Sequence, residues 1–230
     1  MTVAMRMLLL TALLALPCAA SAEEVVELGG GLFGGGRALL NKPPGKARAG
    51  LVLLTGGDGY VGIGSGGDVA RQGNWIVRMR GAYARSGIAS ILVDGNADPN
   101  KAIGLMRSIA PRVIVVAMSR GSLKVPGLLA SRPDGVVFVS SMLDDVRATL
   151  GDPVRLPPTL VVHHRQDSCR VTLADSVAPF QSWAGNRART VWIDGGSSTG
   201  NPCQAQAYHG FIGREGAVVS AITNFAGSLR

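Results

Sequence analysis

The chain has 230 residues, 47% hydrophobic and 17% charged, enough to build a single domain with a substantial core. Its formal charge of +8 is mostly arginine scattered singly. No basic run is interleaved with aromatics, which argues against nucleic-acid binding. A basic surface can draw anionic substrates or envelope polymers at long range, but a solvated surface with biased arginine usage is the plainer reading.

The first 22 residues carry Arg6, an apolar stretch from Leu8 to Leu16, Pro17, and Ala20-Ser21-Ala22, an A-x-A cleavage signature. This predicts a secretory signal peptide over 1–22 and a single domain over 23–230, exported to the periplasm or beyond. The proline beside Cys18 argues against a lipoprotein signal. No later segment has the roughly 18 uninterrupted apolar residues of a membrane span, so no stable membrane insertion is expected.

Val25 to Leu28 and Arg37 to Asn41 read as short edge strands joined by the glycine-rich stretch Gly29 to Gly36. That stretch lacks the G-K-[ST] ending and a following helix, so it is not a phosphate cradle. A turn with Pro43, Pro44 and Gly45 leads to the buried strand Leu51 to Leu54, which runs into Thr55-Gly56-Gly57-Asp58-Gly59. Glycines there let backbone N–H groups come close to a developing negative charge, as an oxyanion hole requires. Ser65 and Asp68, in the next glycine-rich loop, could line a pocket or belong to a plain turn.

Trp75, Ile76, Met79, Ala82 and Tyr83 recur at helical spacing, predicting a helix over Gly73 to Ser86, followed by a strand at Ile88 to Val93. A helix near Lys101 to Ile109 precedes the apolar run Val113 to Met118. Ser119 follows at once, with Ala117 two residues before it and Gly121 two after, and a helix is expected from about Ser119 to Ser131. A serine between a buried strand and a helix, flanked by small residues, resembles the G-x-S-x-G nucleophile elbow with one added methyl at Ala117.

Gly135 to Val139 is the next strand, and Asp144 and Asp145 stand shortly after its end. Thr159 to His164 empties into Arg165-Gln166-Asp167. Asp175 to Trp183 reads as a helix and Thr190 to Asp194 as a strand. A Gly/Ser-rich loop leads to Tyr208-His209-Gly210-Phe211, and Phe211 to Ser228 reads as the last helix. The βαβ alternation predicts a doubly wound, mostly parallel sheet with helices on both faces. Ser119, Asp167 and His209 then gather at its carboxyl edge, where open α/β sheets place their sites.

The order serine, acid, histidine, together with the glycine loop upstream, resembles the α/β-hydrolases from about Val25 to Arg230, in particular small secreted members of the esterase and dienelactone-hydrolase-like group. The resemblance implies Ser119 as nucleophile, His209 as general base and then acid, and Asp167 orienting the imidazole. The oxyanion would be held by the backbone N–H of Arg120 and of Gly57 or Asp58. Many members carry histidine where Thr55 stands. Asp144 or Asp145 is the reserve acid, because some members take it from the earlier strand end. His163 and His164 close a buried strand too near Asp167 to reach across to Ser119, so packing or hydrogen bonding is their expected role.

The implied reaction is hydrolysis of a carboxylic ester through an acyl-enzyme, with no metal or organic cofactor. Little chain lies between Val139 and Thr159, so a minimal or absent lid and small soluble esters are expected. An amidase or peptidase with the same triad, and a noncatalytic binding protein on the same fold, are the competing readings. Cys169 and Cys203, the two cysteines left after the leader, form an even pair in an exported chain. A bridge between them would staple the acid loop to the histidine loop, and no third or fourth ligand stands at zinc spacing.

Overall fold

A computed structural model describes residues 23–29 and 35–229. The signal peptide expected over residues 1–22, with Cys18, and the middle of the first glycine-rich stretch lie outside them. Eight strands form one sheet in the order β1-β2-β4-β3-β5-β6-β7-β8. β1 (Glu23–Glu27) pairs antiparallel with β2 (Arg37–Asn41), and β2 pairs antiparallel with β4 (Ile88–Val93). β3 (Ala49–Leu54), β4, β5 (Val113–Met118), β6 (Gly135–Val139), β7 (Thr159–His164) and β8 (Ala188–Ile193) run parallel.

Every residue of β3 to β7 is buried, as their continuous apolar runs demand once both faces are covered. One face packs on α2 (Pro99–Ile109), α3 (Val125–Leu128), α4 (Leu143–Leu150) and α5 (Val177–Ala184), through Ile103, Met106, Leu128, Val146 and Phe180. The other packs on α1 (Trp75–Arg78) and α6 (Glu215–Ser228), through Trp75, Ile76, Val218, Ile222 and Phe225. The edge strand β1 carries Glu23, Glu24 and Glu27, charges that discourage pairing with another chain.

Three helices differ from the sequence reading. Over Gly73 to Ser86 only Trp75–Arg78 is α-helical, with Asn74 as its cap. Trp75, Ile76 and Tyr83 are buried as the spacing requires, but the chain beyond Arg78 closes tighter turns, with Ala82 N–H on the Met79 carbonyl, Ser86 on Tyr83 and Gly87 on Ala84, and two carbonyls are shared with or taken by side chains. Arg80 bonds the carbonyl of Val77, and Ser90 Oγ that of Arg80. Ser119 to Ser131 is a 3₁₀ turn to Lys124, one α turn and another 3₁₀ turn. Pro126 has no N–H to offer the Ser122 carbonyl, which instead accepts from Val125. The last helix begins at Glu215 rather than at Phe211, because Phe211 sits at φ 57. Between β6 and β7 stand α4 and a short 3₁₀ turn at Pro153–Arg155, and no larger insertion.

Candidate active site at the carboxyl edge

The chain reverses its direction of travel across the sheet between β3 and β5, the switch point at which open α/β sheets form their crevice. Leu54 and Ala117 are register partners, so the loop after β3 and the turn after β5 leave the sheet side by side. Ser119 sits there at φ 50, in the left-handed region that a non-glycine residue occupies at a cost of order 1–3 kcal/mol. Such strain at a strand-to-helix serine is the geometry of a nucleophile elbow.

The glycines around it are required by close approach. A Cβ on Gly121 would stand 2.5 Å from the Thr55 carbonyl oxygen and 2.9 Å from that of Leu54. One on Gly56 would stand 2.9 Å from Ser119 Cβ. Ala117 is fully buried in β5 and its methyl is accommodated. Thr55 is buried and donates its hydroxyl to the Gly59 carbonyl, closing the loop on itself.

A cavity of about 500 Å³ opens over this junction, lined among others by Gly57, Asp58, Ser119, Arg120, Cys203 and His209. Asp58 and Arg71 face each other on its wall through two hydrogen bonds, and that guanidinium holds the exposed Asp58 carboxyl below the usual carboxylate range. Arg71 also lies over the Tyr60 ring. The Gly57 N–H is committed to no other hydrogen bond among the described residues. Ser65 and Asp68 lie away from the cavity lining, where Ile63 and Val69 bridge across the base of their loop.

Asp167 and His209 meet beneath the same cavity. His209 Nδ1 lies 3.0 Å from Asp167 Oδ2, both side chains almost wholly buried. The carboxylate only accepts, so Nδ1 carries a proton and the bond leaves Nε2 uncommitted. Asp167 Oδ1 accepts the Cys169 N–H at 3.0 Å. Ser119 and His209 line one cavity without a hydrogen bond between them, the loose geometry common in unliganded sites. His209 sits in a 3₁₀ turn whose Gly210 admits no side chain, since a Cβ would stand 1.9 Å from the Ala205 carbonyl oxygen. Arg78 reaches across to Glu215 and to the Gly210 carbonyl, tying α1 to that turn.

The disulfide Cys169–Cys203 is formed, with Cα atoms 4.6 Å apart. It joins the acid loop to the histidine loop. Asp144 and Asp145, the reserve acids, lie exposed in the first turn of α4, and neither bonds His209 among the described residues.

His163 and His164 are structural. His163 Nε2 donates to the Thr172 carbonyl at 2.9 Å, and burial pushes its pKa down to about 4, the Asp167 charge opposing this. It is neutral near pH 7, so its 3.5 Å approach to Asp167 Oδ2 is not an ion pair. His164 Nε2 donates to the Gly195 carbonyl and its Nδ1 accepts from Gln166 N–H, with Tyr208 stacked on the ring at 4.4 Å. Trp75 is core, whereas Trp192 is half-buried beneath Arg165.

Two contributors escaped the sequence reading. Asp94, at the end of β4, accepts N–H bonds from Val61, Gly62, Ile63 and Gly95 at 2.7–3.1 Å, pinning the chain just beyond the glycine loop. Thr172 lies between Asp167 and His209. A carboxylate after a buried strand is a signal that could have drawn attention to Asp94. Nothing in the local pattern around Thr172 marks it.

No protein-family model and no curated sequence matches the chain. Solved structures do. A dienelactone hydrolase from Anabaena variabilis superposes with a TM-score of 0.64 at 16% identity, covering 92% of this chain and all of that one. Carboxyl esterase 2 from Tuber melanosporum gives 0.61 at 16% identity, covering 93% and 88%. An α/β serine hydrolase without lid from Xanthomonas campestris gives 0.61 at 14% identity, covering 88% and 94%. The chain has the α/β-hydrolase fold.

Proposed function

We propose that residues 23–230 form a single catalytic domain that hydrolyses a carboxylic ester, or a related acyl bond, through Ser119, His209 and Asp167. The observation that carries this is the buried Asp167–His209 pair opening onto the same cavity as a serine held in a strained turn. The neighbouring folds, which include esterases and a serine hydrolase, agree with it.

In this reading Ser119 Oγ attacks the acyl carbon as its proton passes to His209 Nε2. The imidazolium keeps its Nδ1–H on Asp167, which stabilises the new positive charge and stays ionised. The backbone N–H groups of Arg120 and of Gly57 or Asp58 hold the tetrahedral oxyanion, a contribution of about 3–4 kcal/mol per donor in other acyl-transfer enzymes. Nε2 then returns the proton to the leaving alcohol. Water adds to the acyl-enzyme by the same route and frees the acid. The residues need no metal or organic cofactor for this.

The polar wall of Asp58, Arg71 and Arg120, and the short β6–β7 connection, favour small soluble esters over long lipids. An exported location fits the Cys169–Cys203 disulfide and the leader-like sequence. Among the described residues no helix is long and apolar enough to cross a membrane. Matched short-chain esters and anilides test the reaction class: ester turnover well above anilide turnover is expected. Comparable rates on both would mark an amidase, and turnover of neither would favour a binding protein.

A further inference from the structure

Thr172 has a hydroxyl that the reaction as written does not use. The residue is wholly buried. Its Oγ1 lies 3.3 Å from Asp167 Oδ2 and 3.1 Å from His209 Nδ1, and those two atoms are 3.0 Å apart, so three polar atoms close a triangle. The hydroxyl has one proton and the carboxylate has none. Oγ1–H therefore donates to Oδ2, and an Oγ1 lone pair faces the Nδ1–H.

The backbone that presents this hydroxyl is fixed on both sides. Thr172 N–H donates to the Cys169 carbonyl, next to the disulfide, and the Thr172 carbonyl accepts from His163 Nε2. His163 Nδ1 is buried without a partner, so His163 serves this turn through one nitrogen only.

We propose that Thr172 is a positioning residue, whose hydroxyl is the second partner of both Asp167 Oδ2 and His209 Nδ1. The inference rests on the reading of His209 as the base. A single Nδ1–H···Oδ2 bond leaves the ring free to pivot about that line. A second acceptor beside the same N–H restrains the pivot, keeps the proton on Nδ1 and keeps Nε2 turned to the cavity. It also gives the imidazolium formed during attack two oxygen acceptors instead of one.

Thr172→Val keeps the side-chain shape and removes the hydroxyl, while Thr172→Ser keeps the hydroxyl and removes a methyl group. Loss of one hydrogen bond to a charged group is expected to lower kcat on a short-chain ester roughly tenfold in Thr172→Val, with KM nearly unchanged. Thr172→Ser regains most of that loss. Wild-type kcat in Thr172→Val overturns the proposal. So does an equal fall in kcat and in melting temperature for both variants, which would make the hydroxyl packing alone.

Proton NMR of the resting protein separates this from the catalytic reading, because it needs no turnover. The His209 Nδ1–H resonance, identified by its disappearance in His209→Gln, is expected downfield of the amide envelope. It should broaden or move in Thr172→Val and persist in Thr172→Ser. That response in a protein that cleaves no ester would keep the positioning role and refute the catalytic one. An unmoved resonance in Thr172→Val would refute the positioning role whatever the activity.

Discussion

On the Ser119 side of the cavity the serine turn and the glycine loop meet main chain against main chain, whereas on the other side Asp167 and His209 are held to each other by side chains, although Gly210 against Ala205 is a comparable main-chain approach there. Gly56 and Gly121 let two strand ends close on each other until a single methyl group would collide with a carbonyl oxygen or with Ser119 itself. Across the cavity, a carboxylate, a hydroxyl, two imidazoles and a disulfide hold loops whose regular structure near the pair is one short 3₁₀ turn. The first arrangement is intolerant of volume. The second is intolerant of lost polar partners, because each buried donor or acceptor left alone costs about 1–3 kcal/mol. In the proposed reaction, a rigid sheet delivers the nucleophile by geometry, but a base that must give and take a proton needs its partners bonded around it.

Three perturbations break or sharpen this contrast. The largest effect is expected from Cys203→Ser, which opens a loop spanning 34 residues and should lower stability by about 4 kcal/mol. Denaturant titration of the wild type with and without reductant checks it, and a variant unchanged in both would mean that the staple is not needed on that side. Next comes Gly121→Ala, expected to cost about 3 kcal/mol by driving a methyl group into the Thr55 and Leu54 carbonyls. Thermal melting measures it. A fully stable Gly121→Ala protein would show that the two strand ends can part without penalty.

The smallest is a pH effect. His163 titrates near 4 in the fold against an ordinary 6.5, so between those values the unfolded chain binds more protons than the native one. Its contribution is complete above pH 6.5 and is lost as pH falls, by about 2 kcal/mol at pH 5. Urea midpoints measured from pH 7 to pH 5 should fall in the wild type and flatten in His163→Gln. Equal slopes in the two proteins would remove His163 from the acid sensitivity of this region.

How much of this was legible follows the same division. The apolar runs mark the parallel strands because burial on both faces leaves no polar position to confuse the pattern; Ser119 and Asp167 stand just past such runs, and His209 follows in the long loop after β8. The Cys169–Cys203 pairing follows from the even count left once the leader-like first 22 residues are set aside. The broken helix over Gly73 to Ser86 was hidden, because its spacing obeys the helical period while the Arg80 side chain bonds back to the Val77 carbonyl and Ser90 takes the Arg80 carbonyl from the next strand. The helix at Leu143–Leu150 passed unread behind its two aspartates, although Leu143, Val146 and Leu150 share one face. Asp94 acts on amides about 31–33 residues upstream, and Thr172 acts through a turn fixed by the disulfide and His163. Both depend on where the chain returns in space, which no local pattern records.

The central claim is that Ser119 is activated by His209. Labelling of the protein with a fluorophosphonate probe tests it without any guess at the substrate, comparing the wild type with Ser119→Ala and His209→Ala. The account predicts a labelled wild type and loss of labelling in both variants while each stays folded. A folded wild type that takes no label, or a Ser119→Ala protein that takes it as well as the wild type, would contradict it.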